Sequence, residues 1–156
     1  MLVMGIDIGK AELVACLQQS HAGEPAQIVG SLHPIANTTA GHHKLRRWLE
    51  SLLKQQGVAL TEVHVVMEAT NVYWQASAYY FHALGCHVSV VNPAQIKFFA
   101  RSTLRRGKTD AMDAELIARF GLMMRPAPWN PHGIHRRRCW WKSSSWCANE
   151  KPCCSN

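Results

Sequence analysis

Residues 2–9 read Leu-Val-Met-Gly-Ile-Asp-Ile-Gly, an apolar run broken by a single acid. A short apolar run of this kind fits a buried central strand that ends on a functional residue. Asp7 is the anomaly, because a carboxylate set among apolar neighbours is costly unless something compensates it. A cation, hydrogen-bond donors, a salt bridge or a position at a loop edge would each do so.

Residues 12–19 and 26–36 have the character of two further strands, the first turning back near Gly9 as in a hairpin or meander. Thr39 is a suitable cap for a helix in which Leu45, Trp48, Leu49, Leu52 and Leu53 recur at helical spacing until Gly57. Val63, Val65, Val66 and Met67 then predict a second buried strand, with Glu68 at its C-terminal end, where open α/β sheets hold their ligands. A helix from about Trp74 to Leu84, a strand over residues 87–91 and a helix opened by Pro93 and running to about Arg101 continue the alternation. Residues 102–109 read as loop, and a last helix from about Asp110 buries Leu116, Ile117, Phe120 and Met123. This order, β-β-β-α-β-α-β-α-α, predicts an α/β ribonuclease-H-like fold, a mixed sheet flanked by helices.

At 156 residues with 47% hydrophobic content the chain can bury one substantial core, and disorder is excluded as a default. No stretch has the ~18 consecutive apolar residues of a bilayer span, and Asp7 comes too early for a signal-peptide core, so a soluble cytoplasmic protein without a membrane partner is expected. The formal charge of +7 and pI of about 9.4 favour phosphate-rich partners. Cys16 and Cys86 lie in apolar runs and read as buried thiols, whereas Cys139, Cys147, Cys153 and Cys154 crowd the tail.

Asp110 and Asp113, three residues apart on a helix, share one face and can converge on one ion. They also suit a plain structural role, since acids at a helix N-cap and third position satisfy orphan N–H groups and the positive end of the dipole. Taken alone the pair favours capping, and Glu68 alone could mark only where a strand meets water. Together with Asp7 they form a set of hard oxygen ligands from two strand ends and one helix face, as a pair of Mg²⁺ ions requires. Two such ions roughly 3.5 to 4 Å apart would activate water and stabilise the leaving oxygen of a phosphodiester. Lys97, Arg101, Arg105, Arg106 and Lys108 follow one another without an intervening acid, alongside Phe98 and Phe99. Such runs are commonly solvated faces; beside candidate metal ligands, this one is expected to contact nucleic-acid phosphates without regard to sequence and in a salt-dependent way.

Four segments now stand in order: Gly-Ile-Asp-Ile-Gly-Lys at residues 5–10, Met-Glu-Ala-Thr-Asn-Val-Tyr-Trp at 67–74, Val-Ser-Val-Val-Asn-Pro at 88–93, and Arg-Gly-Lys-Thr-Asp-Ala-Met-Asp-Ala at 106–114. Over residues 1–131 the chain resembles the one-hundred-and-ten family of bacterial insertion-sequence transposases, related to Piv-type DNA invertases. The resemblance implies a RuvC-like N-terminal domain with a DEDD carboxylate set at Asp7, Glu68, Asp110 and Asp113. It implies Mg²⁺ or Mn²⁺ as cofactor and strand cleavage during DNA transposition as activity. It further implies DNA and a structured non-coding RNA as partners, and homo-oligomers among full-length members. Gly9 stands where Ser or Ala is common and Asn71 where Gly is usual, and Asn accepts a left-handed turn better than most residues.

Family members continue into a long helix and a second domain bearing a serine nucleophile. Residues 132–156 instead contain Trp140, Trp141 and Trp146, four of the six cysteines and five of the seventeen basic residues. Because Trp has one codon and Cys two, reading from the third base of each codon across Cys139–Lys142 gives Leu-Val-Glu whatever the codon choice. With GC-rich codons, apolar residues at helical spacing continue in that frame. The expectation is therefore a frameshifted, unstructured tail at 132–156 behind a domain at 1–131, which the nucleotide sequence downstream would decide. A zinc module from His132, His135 and the four tail cysteines is disfavoured, as paired Cys-x-x-Cys clips are lacking.

Two rival functions remain. Sugar-kinase and actin-like ATPases share a Gly-Ile-Asp-Ile-Gly strand but need two such domains and a second phosphate loop. A non-catalytic, nucleic-acid-binding remnant of a transposase is the stronger alternative, and a Mg²⁺-dependent nicking assay with Asp7→Asn as control separates it from the nuclease.

Overall fold

The computed structural model describes residues 1–21, 24–103 and 110–131, apart from the side chains of 110–112. Five strands form one sheet: β1 (Leu2–Ile8), β2 (Glu12–Gln19), β3 (Gln27–Ala36), β4 (Val63–Glu68) and β5 (His87–Val91). Four α-helices accompany them: α1 (Thr39–Gln56), α2 (Trp74–Ala83), α3 (Pro93–Ser102) and α4 (Asp110–Met124). The sheet order is β3-β2-β1-β4-β5, with β1-β2-β3 antiparallel and β1-β4-β5 parallel. β1 is thus the central strand on which the meander and the parallel half meet. This is the mixed, helix-flanked sheet that the element order predicts.

Side chains alternate across β1. Met4, Ile6 and Ile8 join Leu45, Leu49, Leu53, Val65, Met67 and Phe81 in the larger core under α1 and α2. Val3 enters the second core with Val66, Ile96, Phe99, Ile117 and Phe120, under α3 and α4. Period-two alternation then puts Gly5 and Asp7 on the α4 face.

Two glycines let α4 lie unusually close to the sheet. A Cβ on Gly5 would come within 2.9 Å of Ala118 Cα and nearer still to Ala114 O and Ala118 N. One on Gly121 would meet Val3 Cγ1 and Val66 Cγ2, each at 2.7 Å. The fully buried Gln18 donates from Nε2 to Glu115 O at 3.0 Å and ties β2 to the same helix. Gly121 therefore sits above Val3 while Ala114 and Ala118 sit above Gly5, so α4 runs antiparallel to β1. Its N-terminal end overlies the C-terminal end of β1.

The far edge of the sheet is covered by residues 125–131. Trp129 N donates to Val88 O at 2.7 Å, and Ser89 Oγ lies 3.0 and 2.9 Å from the carbonyls of Pro126 and Ala127. The Trp129 indole stacks edge-on against Trp74, Tyr79 and His82. Covering a strand edge in this way blocks unwanted pairing.

Two local expectations are corrected. Thr38, not Thr39, caps α1, because its extended backbone (φ −138°) aims Oγ1 at Gly41 N while Thr39 is already helical. Met123, expected in the core, is 62% exposed, since Gly121 and Leu122 complete the buried stripe and the next residues face away from the sheet. Cys16 and Cys86 are buried as predicted; burial pushes the Cys86 thiol up to about 11 and leaves it unreactive. Among the described residues no helix is long and apolar enough to cross a membrane. Residues 132–156, and with them the expected tail domain, lie outside the described residues.

Candidate active site at the carboxylate strand ends

Asp7 is the penultimate residue of β1 and is half-buried. The parallel pairing of β1 with β4 runs to Ile6–Met67, so one further step sets Asp7 beside Glu68, the half-buried last residue of β4. Residues opposite each other in a ladder share a face, and both acids therefore belong to the α4 face. On the other flank Asp7 pairs with Val14, which together with Cys16 packs on Ala114 of α4.

The helix places the remaining acids along the same line. Five residues of α4, from Gly121 back to the midpoint of Ala114 and Ala118, cover the two strand residues from Val3 to Gly5. At ~1.5 Å per helical and ~3.3 Å per strand residue these lengths agree to about 1 Å. Two more strand residues reach Asp7, and the matching position on α4 falls between Asp110 and Asp113. Asp113 is half-buried one residue before Ala114, and the side chain of Asp110 lies outside the described residues. The backbone thus brings all four predicted acids toward one end of the sheet. Among the described residues no three acid, His or Cys side chains form a ready metal cluster.

A pocket of about 320 Å³ opens there, lined by Asp7, Ile8, Gly9, Ala11, Glu12, Val14 and Thr70. Thr70 Oγ1 donates to Glu68 Oε1 at 2.6 Å, the short distance of a charge-assisted bond, and fixes that carboxylate. Asn71 takes the left-handed conformation (φ 52°) anticipated for it, and Trp74 Nε1 donates to its carbonyl at 3.0 Å. Glu12 and Thr70, which line the pocket, and Gly5, which seats α4, were not among the predicted site residues. Gly5 and Thr70 lie in the first two motifs and Glu12 just beyond the first, and that proximity to Asp7 and Glu68 is their sequence signal.

A larger hollow of about 560 Å³ lies on the outer face of α1 among Ala40, His43, Arg46, Arg47 and Glu50. It is on the opposite side of the sheet and contains one acid, already paired with Arg46 at 2.8 Å, so it does not compete as a cation site. Of the predicted basic residues, Lys97 and Arg101 are exposed one turn apart on α3, next to Phe98, which is 66% exposed. Arg105, Arg106 and Lys108 lie outside the described residues.

The site is all hard oxygen, a donor set that suits Mg²⁺ or Mn²⁺ and not the softer metals that favour imidazole and thiolate. Among the described residues the two buried histidines stand apart from it. His64 Nε2 and Ser89 Oγ are 2.8 Å apart, His42 Nε2 and Ser77 Oγ 2.9 Å, and burial holds both imidazoles below the usual histidine range.

This fold is similar to that of RuvC from T. thermophilus in complex with a Holliday junction substrate, with a TM-score of 0.53, 14% identity, and coverage of 82% of this chain and 99% of that one. The fowlpox virus Holliday junction resolvase is similar at a TM-score of 0.51 and 12% identity, over 80% of this chain and 99% of that one. The domain is thus RuvC-like, of the ribonuclease-H-like class, with acids at the ends of its central parallel strands.

The sequence pattern of a transposase family, the DEDD type of the IS110 elements, matches residues 4–132, and the chain belongs to this family. The pilin gene-inverting proteins of Moraxella bovis and Moraxella lacunata are each 30% identical over 128 residues, which is 82% of this chain. The chain spans 36% of the length of these relatives. DEDD nuclease-like domains of this RuvC-like kind generally use divalent metal.

Proposed function

We propose that this chain is the metal-binding nuclease domain of an insertion-sequence transposase, in which Asp7, Glu68, Asp110 and Asp113 hold Mg²⁺ or Mn²⁺ against a DNA strand. The observation that carries the reading is the antiparallel seating of α4 on β1 through Gly5, which aims the Asp110–Asp113 turn at the strand ends bearing Asp7 and Glu68. A divalent ion bound there supplies water activation and stabilisation of the leaving oxygen. Thr70 keeps Glu68 turned in one orientation. Lys97 and Arg101, with Arg105, Arg106 and Lys108, supply sequence-independent phosphate contacts. In this reading DNA is the substrate, and a structured RNA guide, a homo-oligomeric assembly and a cytoplasmic setting are further parts of the proposal. The 1–131 domain and the frameshifted tail remain part of this proposal.

Nicking of supercoiled DNA in Mg²⁺ or Mn²⁺ tests it. Asp7→Asn is expected to lower the rate by about 10²-fold or more, the cost of losing one preorganised electrostatic group. Cleavage indifferent to that substitution sinks the site. Salt-sensitive DNA binding without cleavage by the intact chain would favour the second reading, a non-catalytic binding domain.

A further inference from the structure

Ile6 and Met67 are the last residues that β1 and β4 pair with each other; Asp7 and Glu68, one step beyond, are paired only on their outer flanks, with Val14 and Val91. The spacing between the two carboxylates therefore depends also on what holds the turns that follow. Gly9 N donates to Glu12 O at 2.8 Å in the first turn. In the second, Thr70 N donates to Glu68 O at 2.9 Å, Ala69 N to Val91 O at 2.9 Å, and Trp74 Nε1 to Asn71 O at 3.0 Å. Each turn is internally braced.

Asn37 joins them. It is half-buried in the short link between β3 and α1, some thirty residues from either turn. Its Nδ2 donates to Gly9 O at 3.0 Å and to Tyr73 O at 3.4 Å, while its backbone N donates to Ala11 O at 2.8 Å. A carboxamide nitrogen has two hydrogens, and here each goes to a different turn.

We propose that Asn37 is a positioning residue that fixes the separation of Asp7 and Glu68 by clamping the turns behind them, so that both carboxylates meet one divalent cation. The inference rests on the metal reading above. Support of this kind behind metal ligands commonly contributes 10–100-fold in affinity. If Asn37 were only a turn residue ahead of the Thr38 cap, its loss would cost stability and leave cation affinity unchanged.

The test is Mn²⁺ binding to the full chain, followed by electron paramagnetic resonance of the free ion, with urea unfolding of the metal-free protein measured alongside. Asn37→Ala removes both donors, and its Mn²⁺ dissociation constant is expected to rise at least about tenfold. Asn37→Asp has the same shape but turns the donors into acceptors facing two carbonyls; its added negative charge would by itself tighten a cation, whereas loss of the clamp loosens it. Weaker binding by Asn37→Asp is the expected result. Asn37→Ser, which keeps one donor, is expected to fall between wild type and Asn37→Ala and serves if the other two do not fold. Folded variants that bind within about twofold of wild type overturn the inference, whatever their stability. If wild type binds Mn²⁺ and Asp7→Asn does not while the Asn37 variants are unaffected, only the clamp fails. Wild type that takes up no Mn²⁺ overturns the metal reading and the clamp together.

Discussion

Gly5→Ala tests the seating of α4 on which the site depends. The added Cβ would stand 2.9 Å from Ala118 Cα and closer to Ala114 O and Ala118 N, all backbone atoms that no rotamer change can move aside. Ordinary carbon contacts need about 3.5–4.0 Å, so the helix must lift by roughly 1 Å at the turn after Asp113. Overpacking of this kind costs about 1–3 kcal/mol, and the rigid neighbours favour the upper half of that range. Against it, Ala reduces the freedom of the unfolded chain and returns about 0.4–1 kcal/mol. The net expectation is a loss of about 1–2.6 kcal/mol, or roughly 3–10 °C in Tm for a domain of this size. Gly9→Ala is the control, because its Cβ would lie 3.2 Å from Glu12 O, a contact relieved by a few tenths of an ångström. Thermal and urea unfolding followed by circular dichroism give the stability, and Mn²⁺ titration reports the site. A Gly5→Ala protein as stable as Gly9→Ala, with unaltered Mn²⁺ affinity, would show that α4 is not held close and would remove the geometric case for Asp110 and Asp113.

The buried histidines predict a pH dependence. Burial first, and the neighbouring His87 second, lower His64, while burial and His43 lower His42. The unfolded chain therefore takes up protons before the folded one, so stability is full above the ordinary value of 6.5 and falls as pH drops below it. Urea midpoints from pH 7.5 to about 5 check this, and His64→Gln, which keeps a donor for Ser89, should flatten part of the slope; a midpoint that is constant or rises on acidification contradicts it. At the nucleic-acid face, Lys97→Ala and Arg101→Ala should each weaken DNA binding uniformly across sequences and reduce the slope of log affinity against log salt by about 1. An unchanged slope in the double variant would take α3 out of the interface.

The element order was legible because β1 and β4 are short, nearly continuous apolar runs and the α1 stripe has a strong helical period, and the mixed sheet follows from three strands preceding the first helix. Asp7 was legible as an anomaly of type, an acid within an apolar run, and Asn71 as a residue suited to positive φ. Gly5 was not, since a glycine in a strand acquires meaning only when a helix more than a hundred residues later crosses it. Asn37 was hidden for the same reason: it acts on Gly9 and Tyr73 through contacts 28 and 36 residues away. The misplaced α1 cap reflects two adjacent threonines of equal propensity, which only backbone angle distinguishes. Met123 follows the apolar composition of α4 but falls one position beyond its buried stripe.

The position of the site follows from three directions set independently. β1 and β4 run parallel, which brings their C-terminal ends to the same edge and their acids to the same face. β2 runs antiparallel to β1 and must begin at that edge, so the tight turn after Asp7 places Glu12 beside it. α4 runs antiparallel to β1, and its first turn is carried to that edge by the close contacts at Gly121 and Gly5. Reversing α4 would leave every apolar contact type available and yet move Asp113 to the opposite end of the sheet. The glycines and the Gln18–Glu115 bond thus do more than pack the core: with α4 seated in this direction, the turn carrying Asp113 is brought toward the edge that carries Asp7 and Glu68, and the proposed carboxylate site depends on that seating more than on any one of its proposed ligands.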